Sequence, residues 1–255
     1  MRRTPAKTTR PSPELRTRLE AASLAGSHTY VAELRALMRA LHKAVLADLR
    51  PFIALYAGRR QDGGISDLAT RVGHFIAQVP GKVARFFRKM AATLVQANRA
   101  VMSEILGRPP AAPSPGVLEA AERESVRLVK LAAERYGDQI RSTLAAGGTM
   151  TPEDLEAALA KRGEVSESQA ALIARDQTVK LNAQLTRDAQ QAAGYERYWW
   201  LTCRDDRVRP THEANESIIF AWSNPSPITG HPGHDPLCRC NPIPYDGPLA
   251  PGERV

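Results

Sequence analysis

The sequence predicts a mainly α-helical protein with a small irregular α+β segment at its C-terminus. Three observations indicate this fold class. Apolar residues recur at helical spacing through most of the chain up to Tyr195, a proline-rich stretch at residues 107–116 divides that helical part, and beyond Tyr195 the helical period disappears. There, prolines and glycines multiply between short aromatic or β-branched runs. That composition is typical of short strands joined by long loops.

The chain begins with a basic segment that has little to anchor it. Residues 1–12 hold four basic residues among threonine, proline and serine, namely Arg2, Arg3, Lys7 and Arg10. Apart from Met1, they contain no large apolar residue. A segment of this kind has no side chain to bury in a core. We therefore expect a flexible basic arm.

A basic helical region is predicted over residues 13–106. Ser12 and Pro13 have the order of an N-cap and a first-turn proline. The apolar period continues from there, but an internal proline lacks the backbone N–H and clashes with the preceding turn. We expect a kink at Pro51 and an interruption of the helix at Pro80-Gly81, after which the helix resumes.

The proline-rich stretch predicts a linker between two regions. Residues 107–116 hold four prolines in ten positions, which excludes both a helix and a central strand. We expect a second domain over residues 117–246, followed by a short tail at residues 247–255.

The second domain starts with helices and ends with strands. Thr151 precedes a proline and two acids, which predicts the start of a short helix. Ser166 and Gln169 form a capping box that predicts the start of the next helix, and Gly194 is its expected stop. The runs YERYWWLT and SIIFAWS then predict short strands.

The composition excludes several classes of protein. Hydrophobic residues make up 43% of the 255 residues and charged residues 24%, which is ordinary for a folded globular protein and excludes disorder of the whole chain. No stretch approaches eighteen uninterrupted apolar residues, and the basic N-terminus lacks the apolar core of a signal peptide. We predict neither a membrane span nor membrane association.

The charge is distributed unevenly along the chain. Residues 1–110 carry 19 Lys/Arg against 7 Asp/Glu, a net charge of +12, whereas residues 111–255 carry 16 against 20, a net charge of −4. A cationic front half predicts a polyanionic partner, and DNA bound through its phosphates without base readout fits this pattern. The alternative is a solvated helical face. The candidate DNA-binding residues are Arg2, Arg3, Lys7, Arg10, Lys82, Arg85, Arg88 and Lys89.

Most residues that could carry chemistry fall between Trp199 and Pro244. This window is poor in aliphatic residues, so it needs another source of order. The first interpretation is a structural zinc site, because thiolates and imidazoles can tie loops together that form no core. Its candidate ligands are His212, His231, Cys238 and Cys240, with Cys203 and His234 as alternates.

Two other interpretations of the same window stay open. A metal-dependent hydrolase or nuclease would use carboxylate and imidazole ligands with an open coordination position, although no compact catalytic signature is present. Its candidates are Asp205, Asp206, His212, His231 and His234. In the third interpretation the polar residues form turns and the cysteines are small buried hydrophobes. Here we expect Asp206 and Arg209 to form an ion pair near Trp200.

An ordered set of residues recurs from the helix before this window to its end. The main motif residues are Trp200, Asp206, Arg209, His212, His231, Cys238, Arg239 and Cys240. They are accompanied by Ile173, Ala174, Arg175, Thr178, Gly194, Thr202, Pro232 and Gly233. With these residues the chain resembles a known family, the head morphogenesis domain of tailed bacteriophages found in Mu F-like minor head proteins.

The resemblance covers roughly residues 115–246, and the order and spacing of the motif residues agree with the family. One departure is Glu216-Ser217, where the family usually has a glycine. In some members Cys-x-x-Cys stands where this chain has Arg209 and His212.

The resemblance implies a structural protein and not an enzyme. It implies a minor head protein that acts in head morphogenesis, lies inside the virion near the portal, and passes through the host cytoplasm during assembly. The implied partners are portal and capsid or scaffold proteins, together with packaged DNA bound without sequence preference. The alternative functions are a metal-dependent hydrolase or nuclease and a generic nucleic-acid-binding protein. A structural zinc ion is the one cofactor that the residues suggest.

Overall fold

The computed structural model describes residues 12–53 and 65–248. It confirms a mainly α-helical fold with a small antiparallel sheet near the C-terminus. The predicted arm lies outside the described residues except for Ser12, and so does the predicted tail from residue 249 onward. The helices are α1 Pro13–Ser23, α2 Ser27–Leu49, α3 Ile65–Leu106, α4 Pro115–Ala146, α5 Pro152–Ala192 and α6 Pro210–Glu213. The strands are β1 Arg197–Leu201, β2 Ile219–Ala221 and β3 Asn241–Tyr245.

The N-terminal capping signals act as the sequence predicts. Ser12 caps α1, because its side-chain oxygen accepts a hydrogen bond from the Leu15 N–H at 3.1 Å, and Pro13 is the first helical residue. At Pro51 the α-helix gives way to a 3-10 turn over Arg50–Phe52. The described residues of these segments therefore follow local sequence signals.

Helix α3 does not follow the local signal at its centre. The interruption expected at Pro80-Gly81 is wrong, because the helix continues through Pro80 from Ile65 to Leu106. Val79 and Val83 on the two sides of the proline are fully buried. Burial of the apolar stripe on both sides outweighs the single backbone hydrogen bond that proline removes.

Helix α5 is likewise longer than expected. The sequence predicts two helices with a new start at Ser166, but one helix runs over Pro152–Ala192. Ser166 is a buried interior residue whose hydroxyl has no hydrogen-bond partner among the described residues, so the capping box is wrong. Gly163 allows α5 to pack closely against α2, because a Cβ there would lie 2.5 Å from the ring of His42.

The end of α5 is confirmed at Gly194, and it sets the direction of the first strand. Gly194 adopts φ +82°. Its N–H donates to the Gln191 carbonyl at 2.8 Å, and the Tyr195 N–H donates to the Gln190 carbonyl at 2.9 Å. This pair of bonds is a Schellman motif, in which glycine is favoured because the left-handed backbone strains other residues.

The sheet has the strand order β2-β1-β3, and both pairings are antiparallel. The aromatic run forms the central strand, with Tyr198 and Trp200 fully buried. Strand β3 was not predicted, because Pro242 and Pro244 disfavour a strand. It is an edge strand, where a missing N–H costs little, and the Pro242 carbonyl accepts a hydrogen bond from Gln190 of α5 at 2.8 Å.

The described residues form two compact units. Unit 1 holds residues 12–28, 89–121 and 175–248, and unit 2 holds the described parts of 29–88 and 122–174. Residues 107–116 lie inside unit 1, so the compact units follow different boundaries from the linker that the sequence predicts. Long helices explain the difference, because α3, α4 and α5 each contribute residues to both units.

Each unit has its own buried core. In unit 2, Tyr30 packs edge-to-face on Phe87, with ring centroids 6.2 Å apart, and its hydroxyl bonds to Ser125. In unit 1, one cluster joins α1, α3 and α5 to strands β1 and β3, and another joins the aromatic face of the sheet to Cys238 and Cys240. None of the helices in the described residues is long and apolar enough to cross a membrane.

Candidate metal centre

Three candidate ligands from two separate connections converge on one point in unit 1. The Nδ1 atom of His212 lies 3.5 Å from the sulfur of Cys238 and 3.5 Å from the sulfur of Cys240. All three ligand atoms lie within 4.8 Å of one another. The three residues are buried. Four residues were predicted as ligands of a zinc site, and the structure brings three of them together.

The position of His212 follows from the short helix α6 and its neighbours. Arg209 precedes the helix and Pro210 is its first residue, which places the imidazole one turn inside. The ring packs edge-to-face on Trp200, with centroids 5.6 Å apart. Its Nε2 lies 2.8 Å from a carboxylate oxygen of Asp235. We assign the proton to Nε2, so that the Nδ1 lone pair faces the two sulfurs.

The position of Cys238 is fixed by an unusual backbone in the residues that precede it. Gly233 adopts φ +82° and donates its N–H to the Cys238 sulfur at 3.3 Å. A Cβ at Gly233 would lie 2.3 Å from Ala183, so only glycine fits there. Leu237 adopts φ +57°, and its N–H donates to the carboxylate of Asp176 on α5 at 2.8 Å. Helix α5 thereby holds the cysteine turn in place.

The two thiols differ in acidity. A hydrogen bond from Cys240 lowers the pKa of Cys238 to about 6, against the opposing effect of burial. That same hydrogen bond, together with burial, raises the pKa of Cys240 above its ordinary value.

The other predicted ligands lie outside this cluster. His231 bonds through Nδ1 to the Tyr198 hydroxyl at 2.8 Å and packs against Trp222. Burial, with a contribution from Arg187, lowers the pKa of His231 to about 4, so the ring is neutral at neutral pH. The side chain of His234 is mostly exposed. The sulfur of Cys203 donates to the Arg239 carbonyl at 3.1 Å.

The expected pair of Asp206 and Arg209 is not formed. Both residues are exposed, and the Arg209 guanidinium donates instead to the Pro236 carbonyl at 2.7 Å. The carboxylate that pairs with arginine is that of Asp205, which lies 2.5 Å from Arg239. In a turn the chain reverses within a few residues, so the side chains of adjacent residues point in different directions. The sequence alone therefore does not show whether Asp205 or Asp206 faces inward. Among the described residues, the ligand groups that converge are those of His212, Cys238 and Cys240, so of the candidates of the hydrolytic interpretation only His212 belongs to the cluster.

Arg239, predicted only as a motif residue, joins two segments that are far apart in sequence. Its guanidinium bonds to Glu20 of α1 at 2.6 Å and to Asp205 at 2.5 Å, and its side chain is largely buried. The hydrogen bond from Arg239 lowers the pKa of Asp205, against a smaller opposing effect of burial. Neither Glu20 nor Asp205 has a local signal that identifies it as a partner of this arginine.

Glu216 also connects segments that are far apart in sequence, namely α1, the residues after β1 and its own loop. The sequence marks it only as a departure from the family pattern. Its carboxylate accepts hydrogen bonds from the N–H and the hydroxyl of Thr202, each at 2.7 Å, and from Arg16 at 3.0 Å and Arg204 at 2.8 Å. Burial raises the pKa of Glu216, but the bonds from Thr202 and Arg16 outweigh it and hold the pKa below its usual range. Arg16 also donates to the Thr202 carbonyl.

A cavity of about 290 Å³ borders the His212 and cysteine cluster. Four arginines line it, and three of them, Arg175, Arg207 and Arg209, are exposed. The cavity gives the three ligand atoms a route to solvent. Its lining residues are Leu24, Arg175, Val179, Cys203, Arg207, Val208, Arg209, His212, Leu237, Cys238, Arg239 and Cys240.

The residues predicted to bind DNA are only partly placed by the structure. Lys82 lies over the ring of Phe75 at 5.1 Å and Arg85 lies over the ring of Phe86 at 5.3 Å. Arg88 forms a two-point ion pair with Glu122 at 2.7 Å, which neutralises much of its charge. Lys89 has an interaction partner of its own. Arg2, Arg3, Lys7 and Arg10 lie outside the described residues.

Comparison with known proteins finds a similarity for the part of the chain that contains this site. Residues 136–243 match the family model described as "Phage Mu protein F like protein". A Haemophilus influenzae protein described as "Uncharacterized protein" is 36% identical over 137 residues, which cover 51% of this chain and 30% of that protein. The chain therefore spans less than a third of that relative's length. No solved structure matches.

Proposed function

We propose, from the match of residues 136–243 to the family model described as "Phage Mu protein F like protein", that the protein is a structural component of a phage head that acts in head morphogenesis. The family match is the observation that carries the proposal. In this role the chain belongs to the virion, inside the head and near the portal, and enters it from the host cytoplasm during assembly. Its partners are portal and capsid or scaffold proteins.

The contacts of the motif residues support a structural role. Trp200, His212 and Cys238 are buried, and Arg239 uses its guanidinium to hold α1 and the Asp205 turn. Side chains engaged in this way maintain the fold. Loss of such a residue should therefore appear as failed folding or failed incorporation into heads, with no loss of a chemical step.

Deletion of the gene in the phage or prophage that encodes it tests the proposal. We expect purified wild-type heads to contain the protein by mass spectrometry, and deletion to yield aberrant or empty heads by electron microscopy. Complementation with the wild-type gene is the control. Normal infectious heads from the deletion strain, with the protein missing from wild-type virions, would refute the proposal.

We also propose that the basic front half binds packaged DNA without sequence preference. The net charge of +12 over residues 1–110 supports this, since each phosphate contact releases a counterion on binding. Of the cationic residues placed by the structure, Lys82 and Arg85 lie on one face of α3 and have aromatic neighbours, whereas Arg88 is held by Glu122. The N-terminal arm and α3 are the segments to test.

A salt titration of DNA affinity measures this interaction directly. Removal of residues 1–11, or the double change Lys82→Gln and Arg85→Gln, should weaken binding and make the dependence on salt shallower. The matched control is Arg135→Gln with Lys161→Gln, which removes the same charge outside residues 1–110 from exposed positions. An equal effect of the control and the test variants, or an affinity indifferent to salt, would contradict DNA binding by this region.

A further inference from the structure

We infer that His212, Cys238 and Cys240 bind a zinc ion through Nδ1 and the two sulfurs, and that a water molecule from the adjoining cavity takes the fourth coordination position. The inference is independent of the proposed role in head morphogenesis, because it concerns the isolated protein. The ion would join the β1–β2 connection, which carries His212, to the β2–β3 connection, which carries both cysteines.

The distances between the donor atoms fit a tetrahedral zinc ion. Bonds of about 2.3 Å to sulfur and about 2.05 Å to nitrogen, at a tetrahedral angle, place a nitrogen and a sulfur ligand about 3.6 Å apart. His212 Nδ1 lies 3.5 Å from each cysteine sulfur. A small shift of the side chains is all that coordination requires. The His and Cys₂ donor set is one that zinc prefers over magnesium or calcium, which favour oxygen ligands.

The groups behind the ligands also have the arrangement of a metal site. The Nε2 of His212 is held by the Asp235 carboxylate at 2.8 Å, and a carboxylate behind a ligating histidine orients the ring and raises its basicity. The Gly233 N–H points at the Cys238 sulfur at 3.3 Å. The buried Nε1 of Trp200, which packs in one cluster with both cysteines, has no hydrogen-bond partner in the described part of the chain and is a further polar group beside the site. The Gly233 N–H stabilises a negative sulfur, which a zinc ion requires.

The remaining candidate ligands have other partners, which leaves the fourth position to solvent. The Cys203 thiol is bonded to the Arg239 carbonyl at 3.1 Å, and the ring of His231 is bonded to the Tyr198 hydroxyl at 2.8 Å. The cavity beside the cluster is lined by all three proposed ligands. Water can therefore reach the ion from this side.

Metal analysis of the purified full-length chain tests the inference. We expect about one zinc per chain by inductively coupled plasma mass spectrometry, and its loss in Cys240→Ser and in His212→Gln. Cys203→Ser is the matched control, since it removes a thiol that lines the same cavity but is not a ligand, and it should retain the zinc. Loss of zinc from Cys203→Ser to the same extent as from Cys240→Ser would overturn the assignment of the ligands.

Measurements on the unmutated chain keep the test valid if a variant fails to fold. After zinc is replaced by cobalt(II), we expect sulfur-to-cobalt charge-transfer bands and the intense visible bands of a four-coordinate ion. Return of zinc to the chelated protein should raise its melting temperature by roughly 5 °C or more. A wild-type chain that takes up no zinc or cobalt after reduction and chelation, and whose melting temperature is indifferent to zinc, would refute the site.

Discussion

Unit 2 and the C-terminal segment of unit 1, residues 195–248, obtain their order in different ways. Unit 2 is helical, and its interior is mainly apolar, with buried residues such as Leu34 and Ile140 at helical spacing. The C-terminal segment has three short strands and two long connections, and polar side chains hold those connections. Apolar packing in the first region tolerates small local changes, whereas the second depends on a few residues with specific partners.

The largest effect is expected from a cavity in the helical unit. Ile140 is fully buried, so Ile140→Ala should lower the free energy of unfolding by about 2–5 kcal/mol. Ile140→Val keeps most of the volume and should cost about 0.5–1.5 kcal/mol. Urea unfolding followed by circular dichroism measures both. If the two variants lose equal stability, volume at this position is not what stabilises the unit.

The second effect should come from Arg239. Arg239→Gln removes a largely buried guanidinium from the carboxylates of Glu20 and Asp205, which are about one third exposed, and we expect a loss of about 2–3 kcal/mol. The exposed pair of Arg127 and Glu124 provides the matched control, because Arg127→Gln should leave the stability almost unchanged. Equal losses in the two variants would mean that Arg239 contributes no more than a surface ion pair.

Glu216 should make stability depend on pH at the acid side. Its pKa is held below the usual range in the folded chain, so its contribution is present above the unfolded pKa of about 4.5 and is lost as the pH falls through the lower folded pKa. Glu216→Gln should cost about 1–2 kcal/mol at pH 7 and flatten the loss of stability below about pH 4.5. Thermal melts between pH 7 and pH 3 test this. An acid limb that is equally steep in the variant would show that other carboxylates cause it.

The smallest effect distinguishes the two neighbouring acids. Asp206 is exposed and forms no pair with Arg209, so Asp206→Asn should change stability by no more than about 0.5 kcal/mol. Asp205→Asn weakens the bond to Arg239 and should cost more. Equilibrium unfolding of both variants decides between them, and a larger loss from Asp206→Asn would restore the pair that the sequence suggested.

The helical part shows how far sequence signals reach. The apolar period, the Ser12 cap and the Gly194 stop predicted helices and two of their ends. The predictions at Pro80 and Ser166 failed because each depended on one local signal, and burial along the whole helix outweighs such a signal. In both places the apolar stripe continues past the expected break, which is the feature that could have corrected the prediction.

The site shows a different limit. His212, Cys238 and Cys240 could be named because thiols and imidazoles suit zinc, but residue type does not tell which way a loop side chain points. His231 was therefore included among the predicted zinc ligands, although its ring packs against Trp222 and bonds to the Tyr198 hydroxyl. Asp235, Glu216 and Glu20 were missed as partners, because their roles depend on residues far away in sequence.

Hydrogen-exchange mass spectrometry of the wild-type chain and Arg239→Gln tests the central claim, that polar side chains order the C-terminal segment while apolar packing orders the helical unit. We expect the variant to lose protection in α1 and in residues 202–218 and 222–240, with the unit 2 parts of α2 and α4 unchanged. Arg127→Gln should exchange like the wild type in all these segments. Uniform loss of protection across both units in Arg239→Gln, or no loss in the two connections, would contradict the claim.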